Sequence, residues 1–196
     1  MQNPHKPQKY MSNLEIVNFL QRATGIIAIG LITLQIYLGA TRKAIKFHML
    51  NGIIAYSFVF LHPLLMVAYN YLIYRRIDPF FVYIDVCLLC PNKLDFVINL
   101  GRIGFWFITI AVIAAKFRKA ADWLNQNWRK LHILNYFAFY FISAHAINIS
   151  SDSTKTWFIT YFIFLQLVVV YSVIVRVKRS NLIEDVRKML GQLDEA

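Results

Sequence analysis

The sequence predicts an all-α integral membrane protein, a bundle of about five transmembrane helices. Two observations predict it. Of the 196 residues, 58% are hydrophobic and only 16% charged, whereas a soluble domain carries roughly a quarter of its residues as charges. The apolar residues also fall in long blocks, each near the ~20 residues that a helix needs to cross a hydrocarbon core. Nothing inside lipid satisfies an open backbone, so blocks of that length read as helices.

Five blocks qualify. The first covers residues 17–40, with Arg22 near its start. The second covers 47–74 and carries His48 and His62. The third covers 96–115, with Arg102 near its start. The fourth covers 131–149 and carries His132 and His145. The fifth covers 157–175. This divides the chain into an extracytoplasmic N-terminal segment (1–16), a transmembrane domain (17–176) and a cytoplasmic amphipathic tail (177–196). No signal peptide is evident in "MQNPHKPQKYMS", which has no apolar core or cleavage site.

The net charge of +11 does not indicate nucleic acid. The basic residues sit in short clusters between apolar blocks, with no aromatic-and-basic binding face. Beside spans, such clusters meet anionic lipid headgroups and set orientation. With five spans, one side holds Lys6, Lys9, Arg75, Arg76, Lys93 and Lys155, six in all. The other holds thirteen: Arg42, Lys43, Lys46, Lys116, Arg118, Lys119, Arg129, Lys130, Arg176, Lys178, Arg179, Arg187 and Lys188. The richer side reads as cytoplasmic. The expected topology is N-terminus outside, C-terminus inside, multi-pass, in a plasma or inner membrane.

Four of the five histidines lie in two spans that run the same way. His48 and His62 are 14 residues apart, and His132 and His145 are 13 apart. These separations are roughly 21 Å and 19.5 Å along a helix, so the pairs sit at matching depths. If the second and fourth spans face each other, His48 meets His132 and His62 meets His145. Two imidazoles at one level suit bis-histidine ligation of a haem iron, which leaves no iron position open and serves electron transfer. Two haems b stacked across the bilayer are expected. The angles are less simple. Fourteen residues return to within roughly 40° of the starting face, whereas thirteen miss by roughly 140°. The fourth span therefore needs an irregularity or a strong tilt, and no proline marks one. The plainer reading makes the histidines polar contacts between helices. A zinc site is disfavoured because four ligands must converge on one point.

The stretches "FHMLNGIIAYSFVFLHPLL" and "KLHILNYFAFYFISAH", with their histidine spacings, resemble the ferric reductase-like transmembrane domain. Ferric reductases, NADPH oxidases and the haem-binding subunit of bacterial methionine sulfoxide reductase systems share that domain. The stretch "QRATGIIAIGLITLQIYLGA" is similar to the family helix before the first histidine helix. The resemblance covers about residues 18–176. It implies a di-haem b electron carrier, an oxidoreductase component that passes electrons to an extracytoplasmic acceptor, either ferric iron or a partner reductase. Three departures matter. The first of six family spans is missing here. Met66 stands where oxidase-type members carry a further histidine, which counts against superoxide production. No Gly-rich nucleotide fingerprint follows the last span, so a quinol or a separate flavoprotein is the expected donor. Two other readings remain: a haem or metal transporter, and a haem-free structural subunit.

Arg22 and Arg102 have two readings each. They pair with haem propionates as cofactor-binding residues, or they snorkel to the headgroups. The resemblance favours pairing at Arg22. Cys87 and Cys90, in "CLLC", fall in the expected outer loop, where a disulfide is favoured. A structural pair and a redox dithiol both stand. Residue 91 is proline, which excludes a Cys-x-x-Cys-His haem attachment. The aromatic loop around the cysteines is expected to cover the outer haem. Phe58, Tyr56, Tyr136 and Phe139 lie between the histidine levels, with packing as their default role.

Overall fold

A computed structural model describes residues 8–42, 44–87 and 89–179, with side chains from residue 13 onward. The described residues form seven helices: α1 (Gln8–Thr41), α2 (Ile45–Tyr74), α3 (Pro79–Tyr83), α4 (Lys93–Lys116), α5 (Asp122–His132), α6 (Leu134–Ile149) and α7 (Thr156–Arg179). Four of them are long and apolar enough to cross a membrane: α1 over Asn13–Thr41, α2, α4 and α7. They contain the first, second, third and fifth blocks. Helix α1 runs from Gln8, so the helix starts before the first apolar block does at residue 17. Most of the amphipathic tail lies outside the described residues.

The fourth block is divided. Ile133 separates α5 from α6. There the Ile133 N–H donates to Lys130 O at 3.2 Å and the Tyr136 N–H to Ile133 O at 3.0 Å. Both bonds reach back three residues, the tight 3₁₀ pattern. What remains as α6 has 16 residues. That is about 24 Å of helix, short of a hydrocarbon core of about 30 Å.

Helices α1 and α2 form one extensive pair and α4 and α6 another, while α7 packs on α1. The core between them holds Ile29, Ile32 and Ile36 of α1, Val59 of α2, Ile108 of α4, Phe139 of α6, and Leu165 and Val169 of α7. Phe137, Tyr140, Phe164 and Leu167 are exposed, as an apolar lipid-facing surface requires. In lipid such a core is held by close packing and hydrogen bonds, since the tails are as apolar as the side chains. One hydrogen bond fixes the far end of the bundle. Arg179 Nη1 donates to Thr41 O at 2.5 Å, satisfying a carbonyl that the end of α1 leaves open.

The segment between α2 and α4 is built by local signals. Arg75 ends α2 in the left-handed region, φ 58°. Asp78 caps α3 by accepting from the Phe81 N–H at 2.9 Å, with Pro79 in the first turn. Asn92 caps α4, accepting from the Asp95 N–H at 2.9 Å while its own amide donates to the Asp95 carboxylate at 2.7 Å. Cys87 and Cys90 are joined by a disulfide. Side chains of α4 then fasten the segment. Arg102 is buried, donates to the carbonyls of Val82, Asp85 and Phe81, and stacks on the Phe81 ring. Trp106 donates to Tyr83 O at 2.8 Å and Asn99 to Cys87 O at 2.7 Å.

Candidate functional site

His62 of α2 faces His145 of α6, with ring centroids 6.4 Å apart and planes at 82°. His48 of α2 faces His132, the last residue of α5, at 6.2 Å and 76°. Both expected pairs form. The break at Ile133 makes up part of the angle that the thirteen-residue spacing leaves open. A 3₁₀ turn advances about 120° per residue against about 100° in an α-helix. That overwinding rotates His145 toward the face that His132 occupies.

The separations have a chemical meaning. Two imidazole nitrogens on one metal at about 2.0–2.1 Å, with each ring centre about 1.1 Å further back, put the centroids about 6.3 Å apart. The observed 6.2 and 6.4 Å bracket that distance.

Each ring rests on a small residue of the neighbouring helix. A Cβ at Gly25 would lie 2.9 Å from His62 Cε1, and one at Gly101 2.9 Å from His145 Nδ1. A Cβ at Gly39 would lie 3.2 Å from His48 Cε1. His132 approaches the carbonyl of Ala111, itself fully buried, at 3.5 Å. His62 Nδ1 lies 2.8 Å from Gln21 O and His145 Nδ1 2.8 Å from Val97 O. A carbonyl only accepts, so both Nδ1 atoms carry the proton and both Nε2 atoms keep the lone pair that a metal takes. In each case the accepting carbonyl lies four residues before the glycine. The same seat is therefore built twice, on α1 and on α4.

Beyond the rings the two sites differ. The His62–His145 pair opens on a cavity of about 440 Å³. Its walls include Ile26, Ile29, Val59 and Phe105, together with Phe81 to Tyr83 of the fastened segment. The space beside His48 and His132 is about 30 Å³, one water's share of liquid volume. There the Gln35 amide donates to His48 Nε2 at 3.2 Å. Its orientation is set by Asn51, which donates to Gln35 Oε1 at 2.9 Å. Gly52 makes room, since a Cβ there would lie 2.9 Å from Gln35 Nε2. His48 Nδ1 is left buried without a partner. The first site keeps two Nε2 lone pairs beside the larger cavity. The second has the ring separation, but Gln35 fills the gap.

Both arginines line the larger cavity, and both are already engaged. Arg22 pairs with Asp152 through Nη2, while its Nε is buried and unbonded. Asp152 is buried and also accepts from Lys155 Nζ at 3.1 Å. The hydrogen bond from Arg22 holds its carboxyl below the usual carboxylate range. Arg102 spends its donors on the loop carbonyls. Asp152, Gln35, Gly39 and Asn99 were not among the residues singled out from the sequence. Gly39 was legible, because Gly25 and Gly39 are 14 residues apart, the spacing of His48 and His62. Among the described residues, no three His, Cys, Asp or Glu side chains gather to hold a metal.

A scan against protein-family models and searches of curated proteins and of solved structures return no match.

Proposed function

We propose that the chain is a membrane cytochrome b of ferric reductase-like type, carrying electrons between the two membrane faces. One observation carries this: two histidine pairs sit at separate levels, each at the separation of a bis-imidazole metal site. In this reading His62 and His145 hold one haem b, and His48 and His132 hold a second. A haem held by two imidazoles would supply reversible one-electron chemistry at this site.

The chain's own residues do the rest. The carbonyls of Gln21 and Val97 fix the Nδ1–H tautomers and aim Nε2 away from the supporting helices. The α3 segment, clamped by Arg102, forms part of the cavity wall through Phe81, Val82 and Tyr83. The unbonded Nε of Arg22 is a donor available to a propionate. At the second site Gln35 must swing off His48 before Nε2 is free.

The α5–α6 stretch completes a fifth crossing. The N-terminus and the disulfide segment are outside, and the C-terminus is cytoplasmic. A quinol or a flavoprotein donates, and ferric iron or a partner reductase accepts. A second reading, a haem-free subunit with histidines as interhelical bonds, draws on the carbonyl bonds that the rings already make and on the shut second site.

The test is the absorption spectrum and haem content of the purified chain. The expected result is a low-spin b-type spectrum, with loss of one haem in His62→Ala or His145→Ala and of the other in His48→Ala or His132→Ala. A chain that stays colourless under ample haem supply refutes the proposal and leaves the structural reading.

A further inference from the structure

The Cys87–Cys90 disulfide is left unused by the electron carrier described above. Its loop does not depend on it. Asn99, Trp106 and Arg102 already fasten residues 81–87 to α4, so opening the bond does not release the segment. It is also accessible: Leu89, between the cysteines, is 96% exposed, and neither cysteine is fully buried.

Two features support a reduced state as well as an oxidised one. Asn99 is 5% exposed, and its Nδ2 donates to Cys87 O at 2.7 Å. Its Oδ1 is buried with no partner. An unmet buried acceptor is costly. A disulfide has no hydrogen to give it, whereas a thiol has one. Cys90 stands two residues before Asn92, the N-cap of α4. The positive end of a helix favours a thiolate and so makes the pair easier to reduce and re-form.

We propose that Cys87 and Cys90 form a thiol–disulfide exchange site for dithiol or thiol substrates on that face, with Asn99 as the residue that stabilises the reduced pair. The exchange is balanced. An incoming thiolate attacks one sulfur of the pair, the S–S bond breaks, and the sulfur set free takes a proton. A second thiolate then attacks the mixed disulfide and leaves with the first as an oxidised disulfide. Two electrons and two protons pass to Cys87 and Cys90. Nothing in this step requires haem.

The test uses the full chain in detergent, equilibrated in mixtures of reduced and oxidised glutathione, quenched with acid and labelled with a heavy maleimide. Two thiols should appear together, at glutathione ratios that leave structural disulfides intact. Asn99→Leu should move the midpoint toward the disulfide by about threefold to tenfold, the worth of one hydrogen bond. Thiols that appear only after denaturation, or a variant midpoint equal to that of the wild type, overturn the assignment. Should Asn99→Leu fail to fold, the wild-type titration alone decides whether the site exchanges. A colourless chain that still exchanges refutes the haem reading and keeps this one.

Discussion

Replacing Gly25 or Gly101 by alanine separates ligand-bearing histidines from merely structural ones. A Cβ at Gly25 would sit 2.9 Å from His62 Cε1, and ordinary contact begins at 3.4 Å. The ring must therefore retreat by the difference, 3.4 − 2.9 Å, or about 0.5 Å. Moved along its bond to Gln21 O, now 2.8 Å, it ends near 3.3 Å and loses much of a hydrogen bond worth about 0.5–1.5 kcal/mol. Against that, alanine is favoured over glycine inside a helix by roughly 0.5–1 kcal/mol. The two nearly cancel, so melting of the haem-free chain should move by no more than about 1 kcal/mol. Haem retention should not survive so well, because disturbing a ligand's supporting shell costs about 10- to 100-fold in affinity. Gly39→Ala is the internal control. Its contact is already 3.2 Å, the ring need move only about 0.2 Å, and the loss should be several-fold smaller. The assay is haem per chain under limiting haem, beside thermal melting by circular dichroism. Full retention in both Gly25→Ala and Gly101→Ala refutes the reasoning, since the seats would then have no part in holding a ligand.

Gln35→Leu should raise occupancy of the His48–His132 site under limiting haem, read as haem per chain in a His62→Ala background; unchanged occupancy rules out Gln35 as its obstacle. Asp152 gives a pH dependence. Its folded carboxyl titrates below the ordinary value near 3.9, so its contribution is full above about pH 4 and lost as pH falls through the folded pKa. Asp152→Asn should abolish that part of the acid loss and lower stability at neutral pH by replacing a charged pair with a neutral acceptor for the part-exposed Arg22; equal acid profiles refute the pair's role. Arg102→Gln should speed hydrogen exchange across residues 79–87 while leaving α4 protected, and uniform protection across the segment means the clamp is not what holds it.

Block length and composition made α1, α2, α4 and α7 legible, because the bilayer imposes one simple requirement on backbone and on length. The same requirement hid α5. The stretch "DWLNQNWRKLH" is too polar to span, so block length does not mark it, though it is a helix with an apolar side and a basic last turn. The turn at Ile133 was invisible for another reason. It carries no proline or glycine, and only the angular conflict between His132 and His145 pointed to it. The histidine pairs followed from spacing alone. The partners of Arg22 and Arg102 did not, since a charge on a span says it has a partner without saying which. Asp152 is 130 residues from Arg22 in the chain, and the groups that Arg102 grips are backbone carbonyls that no residue type marks.

The matched seats follow from the spacing of residues along two paired helices. Fourteen residues are close to four turns of helix, so Gly25 and Gly39 present one face of α1, and His48 and His62 one face of α2. In an antiparallel pair those faces meet with each ring over a glycine. Helix α4 repeats the design for His145 with Gly101 and Val97 O. An imidazole buried in a dry bundle needs a partner for its N–H, and a carbonyl from the supporting helix supplies it for His62 and His145 without consuming the metal-binding nitrogen. At His48 the logic is inverted: a side-chain amide takes Nε2, and the N–H goes unmet. Of the two sites built on one α1–α2 helix pair, only the His48 side carries Gln35, which Gly52 admits and Asn51 holds. That difference leaves the His62–His145 pair open on the larger cavity, while at His48 an amide holds Nε2.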